Sequence, residues 1–192
     1  MRDSRWKILI WPLGIALAIG LYFSENIRGH YRFKQMCAKD GGLRVYAPLE
    51  RDQIHIDDED TDGKYIAHFR GVKAGRAKDP VSGQLFDYKL TTGHPTGGLS
   101  RYEKTLADLA QVARYKWVRI SISLKDELRL GRSGFDIYDL QTGKLAVTYY
   151  HYGYRLFDPN TVFLGGGPGG ASCPAQNGQE YDEKFETAFT KQ

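Results

Sequence analysis

An α+β fold is the class the sequence predicts: an antiparallel sheet with one or two packed helices, preceded by a single N-terminal transmembrane helix. Three observations predict it. A basic N-terminus is followed by a long uncharged run. Period-two alternation of apolar and polar residues recurs along the rest of the chain. The only two cysteines, Cys37 and Cys173, stand near the two ends of that remainder. Composition agrees: hydrophobic residues make up 41% of the chain and charged residues 26%, enough apolar material for a packed core and too little charge for global disorder.

The N-terminal segment comes first. Arg2, Arg5 and Lys7 precede Ile8 to Ser24, which carries no charge. As a helix that run spans roughly 25 Å, against about 30 Å of hydrocarbon. Trp6, Trp11, Tyr22 and Phe23 sit near its ends, where interfacial aromatics belong. Cleavage after Ala16-Leu17-Ala18 would expose the apolar stretch Ile19 to Phe23 as a new terminus, so an uncleaved anchor is expected. The expected organisation is a basic cytoplasmic tail over 1–7, an anchor over 8–24, a helical stalk over 25–42 and an extracytoplasmic α+β domain over 43–192. The expected location is the inner (cytoplasmic) membrane, single-pass, with the C-terminal domain periplasmic or otherwise extracytoplasmic. Basic residues flank the run on both sides, so orientation rests on the short adjacent tail and on the cysteines.

Ser24 is placed to cap a helix running to Asp40, with Gly41-Gly42 ending it. Strands are expected over Leu43 to Tyr46, Gln53 to Ile56, Lys64 to Arg70 and Gln84 to Thr91. Arg70 to Pro80 reads as a basic loop, and Gly93-His94-Pro95 with Gly97-Gly98 as a second. Leu106, Leu109 and Val112-Ala113 give helical spacing, so 99–115 is expected to be a helix. Trp117 to Leu124 alternates as a half-buried strand. Phe135 to Leu140 and Lys144 to Tyr152, joined by Gln141-Thr142-Gly143, form the strongest hairpin pattern. Thr161 to Leu164 reads as a last strand and Gly165 to Gly170 as a loop. Tyr181, Phe185 and Phe189 recur at four-residue steps, the mark of a short amphipathic helix.

An even cysteine count in a chain with an export signal reads as a disulfide, Cys37 to Cys173; two separate buried thiols are the alternative. Asp58, Asp60 and Asp62 before Gly63 match the opening of a calcium loop. The twelfth position is Phe69 rather than Glu, so an EF-hand is rejected, and the three carboxylates remain a weak metal candidate beside a solvated acidic turn. Gly165, Gly167 and Gly170 satisfy a dinucleotide pattern, but Pro168 and Pro174 leave no room for the helix and strand it needs. Gly131 to Phe135 misses the nucleophile elbow, because Phe135 stands where Gly is required. Tyr150, Tyr152 and Tyr154 share one face of a strand. They are a candidate binding surface, with core packing as the alternative.

The stretch Cys37-Ala38-Lys39-Asp40-Gly41-Gly42-Leu43-Arg44-Val45-Tyr46, the turn Asp139 to Lys144 and the late Cys173-Pro174 carry a resemblance. They are similar to small uncharacterised bacterial membrane-anchored or exported proteins with a Cys-x-Lys-Asp-Gly-Gly-x-x-Val-Tyr motif. The resemblance implies an exported α+β domain and a Cys37–Cys173 bridge, and it implies no activity. The functional expectation is therefore a membrane-anchored extracytoplasmic interaction protein of the binding, immunity or exclusion type, without enzymatic activity. The alternative is an envelope hydrolase acting on wall or lipid through an unrecognised triad. Membrane lipid, through the N-terminal helix, and another protein are the expected partners; no cofactor is expected. Net charge is only +4 and its basic residues are scattered, so nucleic acid is not expected.

Overall fold

The structure is a computed structural model that describes residues 4–57, 63–94, 97–124, 130–155, 170–174 and 183–190. Helix α1 (Ser4–Asp40) is followed by β1 (Gly42–Val45), β2 (Gln53–Asp57), the short α2 (Lys64–Ala67), β3 (Val72–Lys78), β4 (Leu85–His94), β5 (Gly97–Leu106), β6 (Tyr115–Ser123), β7 (Leu130–Asp139), β8 (Leu145–Arg155) and β9 (Gly170–Cys173). The strands form one nine-stranded sheet in the order β1-β8-β7-β6-β2-β3-β4-β5, with β9 also on β8.

Three parts of the expected fold class are corrected. The sheet is mixed, because β2 runs parallel to both β3 and β6. It also dominates the chain, with few helices beside it. Among the described residues, moreover, no helix is long and apolar enough to cross a membrane.

Helix α1 is continuous through Ser24, whose hydroxyl does not cap it. It donates instead to the Leu21 carbonyl at 2.7 Å, one turn back. The helix ends where expected: Gly41 N–H reaches the Cys37 carbonyl at 2.8 Å, and Gly42 takes φ +90°. Its last turns lie on the sheet. Phe33, Met36 and Cys37 pack with Leu130, Tyr152, Tyr154 and Cys173. Gly29 is needed there, since a Cβ would stand 2.7 Å from the Tyr154 ring. The disulfide Cys37–Cys173 then ties α1 to β9, with the two Cα atoms 6.0 Å apart.

Three local expectations fail for tertiary reasons. Residues 64–67 form α2 rather than a strand, because parallel β2 and β3 need a crossover and α2 supplies it. The crossover packs closely: a Cβ on Gly75 would stand 2.2 Å from the Gly63 carbonyl oxygen. The basic loop expected at 70–80 is mostly β3, where Ala74, Gly75, Arg76 and Ala77 are all buried. The helix expected at 99–115 is β5 and a loop. The ladder from Phe86↔Leu106 to His94↔Gly97 takes its backbone hydrogen bonds. Leu106, Leu109 and Val112, the supposed inner stripe, are 65%, 73% and 81% exposed.

Strand β6 and the β7–β8 hairpin match the sequence reading. The core of this half is aromatic: Trp117, Phe135 and Phe185 meet with Ile66, Phe69, Ile137 and Val147. Trp117 and Phe135 rings are 4.4 Å apart. A helical turn at 183–186 brings Phe185 and Phe189 into this core. Tyr181 and 161–164 lie outside the described residues.

Candidate functional site

The exposed face of β6, β7 and β8 is the site the structure points to. Directly opposed residues of neighbouring strands share a face. The pairs Val118↔Asp136, Ile120↔Gly134 and Ile122↔Arg132 continue through Gly134↔Tyr150 and Arg132↔Tyr152. These residues therefore form one surface, opposite the aromatic core. Its two sides are closed by different elements. Helix α1 covers Tyr152 and Tyr154 at one side. At the other, the loop after β5 brings Ala113 onto Ile54 and Ala74.

The aliphatic row of β6 is the part left open. Trp117, on the opposite face of the strand, is the deeply buried residue at 1% exposure, while Ile122 is 43% exposed. Val118 and Ile120 are half-buried. Beside this row lies a polar network. The Tyr150 hydroxyl donates to Asp136 Oδ1 at 2.7 Å. The Arg132 guanidinium sits over the Tyr150 ring, 4.8 Å from its centre. Arg132 Nε is buried without a hydrogen-bond acceptor. Burial, followed by the hydrogen bond to Asp136, pushes the Tyr150 pKa upward, so this phenol stays a proton donor.

Gly134 sets the floor. It adopts φ +145°, and a Cβ there would stand 1.9 Å from the Tyr149 carbonyl oxygen. Only glycine fits, and the surface between Ile120 and Tyr150 is left without a side chain.

The residues nominated by the sequence are distributed differently. Tyr152 and Tyr154 are 0% and 2% exposed, so they are core beneath α1 and not a binding surface. The reason is the helix itself, which the disulfide holds against them. Tyr150 is half-buried and does belong to the open face. Cys37 and Cys173 are bonded to each other. Asp58, Asp60 and Asp62 lie outside the described residues. Arg132, Gly134 and Asp136 were missed. Within the stretch Gly131 to Phe135, Gly134 marks a close approach of the β8 backbone and no nucleophile elbow.

A second polar group lies deep in the sheet and is structural. His55 is fully buried between Tyr115 and Phe189, and its Nδ1 accepts from Trp117 Nε1 at 2.9 Å. Burial lowers its pKa to about 3, so the ring is neutral. No substrate reaches a ring so enclosed. Next to it on the same face of β2, Asp57 is buried and accepts from Arg119 Nε at 2.8 Å.

No protein-family model, curated protein or solved structure matches this chain.

Proposed function

We propose that this protein is a non-enzymatic interaction protein of an oxidising, extracytoplasmic compartment, and that the open face of β6, β7 and β8 receives another protein. The observation that carries the reading is the row Val118, Ile120 and Ile122 beside the Arg132–Tyr150–Asp136 network. Protein partners are gripped best by tyrosine and arginine anchors set among desolvated aliphatic contacts. The bare floor at Gly134 gives an incoming apolar side chain somewhere to go. Asp136 is engaged by Tyr150, whereas the half-buried Arg132 brings its cation to this face over the Tyr150 ring. The matching partner therefore brings a carboxylate to Arg132 and an apolar group over Gly134.

Two further features support the compartment. A disulfide is a durable structural bond where the surroundings oxidise thiols. Every side chain of α1 from Trp11 to Leu21 is exposed, all round the helix. Contact of these exposed apolar side chains with lipid is part of the proposal.

The test replaces Ile122 with a photo-cross-linking amino acid in the native host. One discrete protein adduct is expected, lost with Arg132→Glu and kept with Lys144→Glu, a substitution of an exposed charge in the β7–β8 turn. No adduct, or an adduct indifferent to Arg132→Glu, would overturn the proposal.

A further inference from the structure

We infer that the outer edge of β5 pairs with β5 of a second copy of this chain, antiparallel about a twofold axis at Tyr102. The sheet order ends at β5, and among the described strands none pairs with its outer side. Such an edge presents a row of backbone N–H and C=O groups ready to template another strand. This one is ten residues long.

Edge strands are commonly protected by charge, and β5 carries Arg101, Glu103 and Lys104. Their order decides which strand is refused. In an antiparallel ladder, opposed pairs alternate between hydrogen-bonded and non-hydrogen-bonded types. A twofold axis relating two identical strands must therefore pass through a residue position, never between two. An axis at Arg101 sets Arg101 against its own copy. An axis at Glu103 does the same with two carboxylates. Only the axis at Tyr102 places each Arg101 opposite the Glu103 of the other chain, twice over. In that register residues 98–106 of the two chains face one another; β5 is regular from Arg101 to Leu106 and pairs irregularly with β4 between Gly97 and Arg101.

The neighbouring side chains agree with it. Arg101 and Glu103 are exposed and share one face of the strand. Lys104, on the other face, is drawn back into its own chain. Its ammonium is 3.2 Å from Asp79 and 4.1 Å from the centre of the Phe86 ring. It therefore opposes no like charge. Leu106, 65% exposed, falls opposite Gly98, which has no side chain to collide with it. At the axis the two Tyr102 rings face each other, each already packed on Ala67, Ala77 and Tyr88. The product is one sheet continuous through two chains. It leaves the face of β6, β7 and β8 untouched, so the two surfaces are independent.

The experiment uses the full chain in detergent micelles. With Tyr102→Cys, mild oxidation is expected to give a disulfide-linked dimer on a non-reducing gel. Thr105→Cys, which falls opposite residue 99 of the second chain, should stay monomeric. In sedimentation, Arg101→Glu and Glu103→Arg should each weaken the wild-type dimer at least tenfold. Mixing these two variants should restore it as a heterodimer, because every 101–103 contact then joins opposite charges again. Circular dichroism of each variant verifies that it is folded. A monomeric wild type at high micromolar concentration would overturn the inference. So would equal cross-linking at positions 102 and 105, or a mixture that dimerises no better than its components.

Discussion

The β3–β4 and β7–β8 hairpins have the same turn and opposite interiors. Asp79-Pro80-Val81-Ser82-Gly83-Gln84 closes the first and Asp139-Leu140-Gln141-Thr142-Gly143-Lys144 the second. In each, the aspartate N–H donates to the carbonyl of the sixth residue, at 2.8 and 2.9 Å. In each, the glycine N–H donates back to the aspartate carbonyl, at 2.9 and 2.8 Å. The carboxylates accept the next backbone N–H groups, from Val81 and Ser82 in one and from Gln141 and Thr142 in the other. The glycines stand at φ +70° and +67°. The Ser82 N–H, with help from the Lys104 ammonium, holds the Asp79 pKa at about 2, so that turn keeps its charged acceptor at any ordinary pH.

Between the strands the two differ. The β7–β8 hairpin places Phe135, Ile137 and Val147 into the aromatic core and ends under the disulfide-held helix. The β3–β4 hairpin has small residues, Ala74 and Ala77, and a buried ion pair. Arg76 Nε and Nη2 grip the two oxygens of Asp87 at 2.7 and 2.9 Å. The same guanidinium donates to the carbonyls of Gln111 and Asp108, at 2.8 and 3.0 Å, and so fastens the loop after β5. The pairing lifts the Arg76 pKa further above its ordinary value, against the pull of burial. A turn is encoded in a few consecutive residues. What stabilises the strands it joins depends on the elements that happen to cover them.

The largest effect is expected on the β8 side. Cys37 and Cys173 are 136 positions apart, so their bond closes nearly the whole domain. On the chain-entropy model, Cys37→Ser should cost about 5 kcal/mol. Hydrogen exchange should show the last turns of α1 and β9 loosening first, while the 79–84 turn stays protected. Equal loosening of both hairpins would mean that the two halves do not differ in their support.

Breaking the ion pair tests the other half. Asp87→Ala should cost about 3–5 kcal/mol, because it leaves a buried guanidinium uncompensated. Arg76→Met with Asp87→Leu should recover most of that loss, since two apolar residues then replace two charges. Denaturant titration of the single and double variants decides it. A double variant no better than the single would show that the Arg76 bonds to Gln111 and Asp108, and not the pair itself, carry the stability.

His55 lies at the seam, on the strand between the two hairpins, and makes the smallest of the three effects. Its folded pKa of about 3 is below the ordinary value of 6.5. The unfolded chain therefore binds a proton below pH 6.5 that the folded chain refuses, and stability falls with the pH from 6.5 toward 3. Between pH 6.5 and 4 this amounts to about 3 kcal/mol. His55→Gln keeps an acceptor for Trp117 and does not titrate. Its stability should fall less steeply over that interval by the same amount, measured by denaturation at several pH values. Parallel curves for the two proteins would remove His55 as the source.

Local signals determined a good deal by themselves. The Asp-to-Gly turn with flanking alternation announced β7–β8, the paired glycines after Asp40 ended α1, and two cysteines in an exported-looking chain announced their bond. Each rests on chemistry within a few residues or on residue count. The tertiary structure decided the rest. Residues 64–67 alternate like a strand but become helical because parallel β2 and β3 require a crossover. The spacing of Leu106, Leu109 and Val112 looks like a helix face, yet pairing with β4 claims the backbone and leaves those residues in solvent. Tyr150, Tyr152 and Tyr154 are equivalent by alternation. Only the position of α1 on the sheet buries two of them and leaves the third beside Arg132, since burial is a property of what lies above a residue and a sequence pattern records only which side it faces.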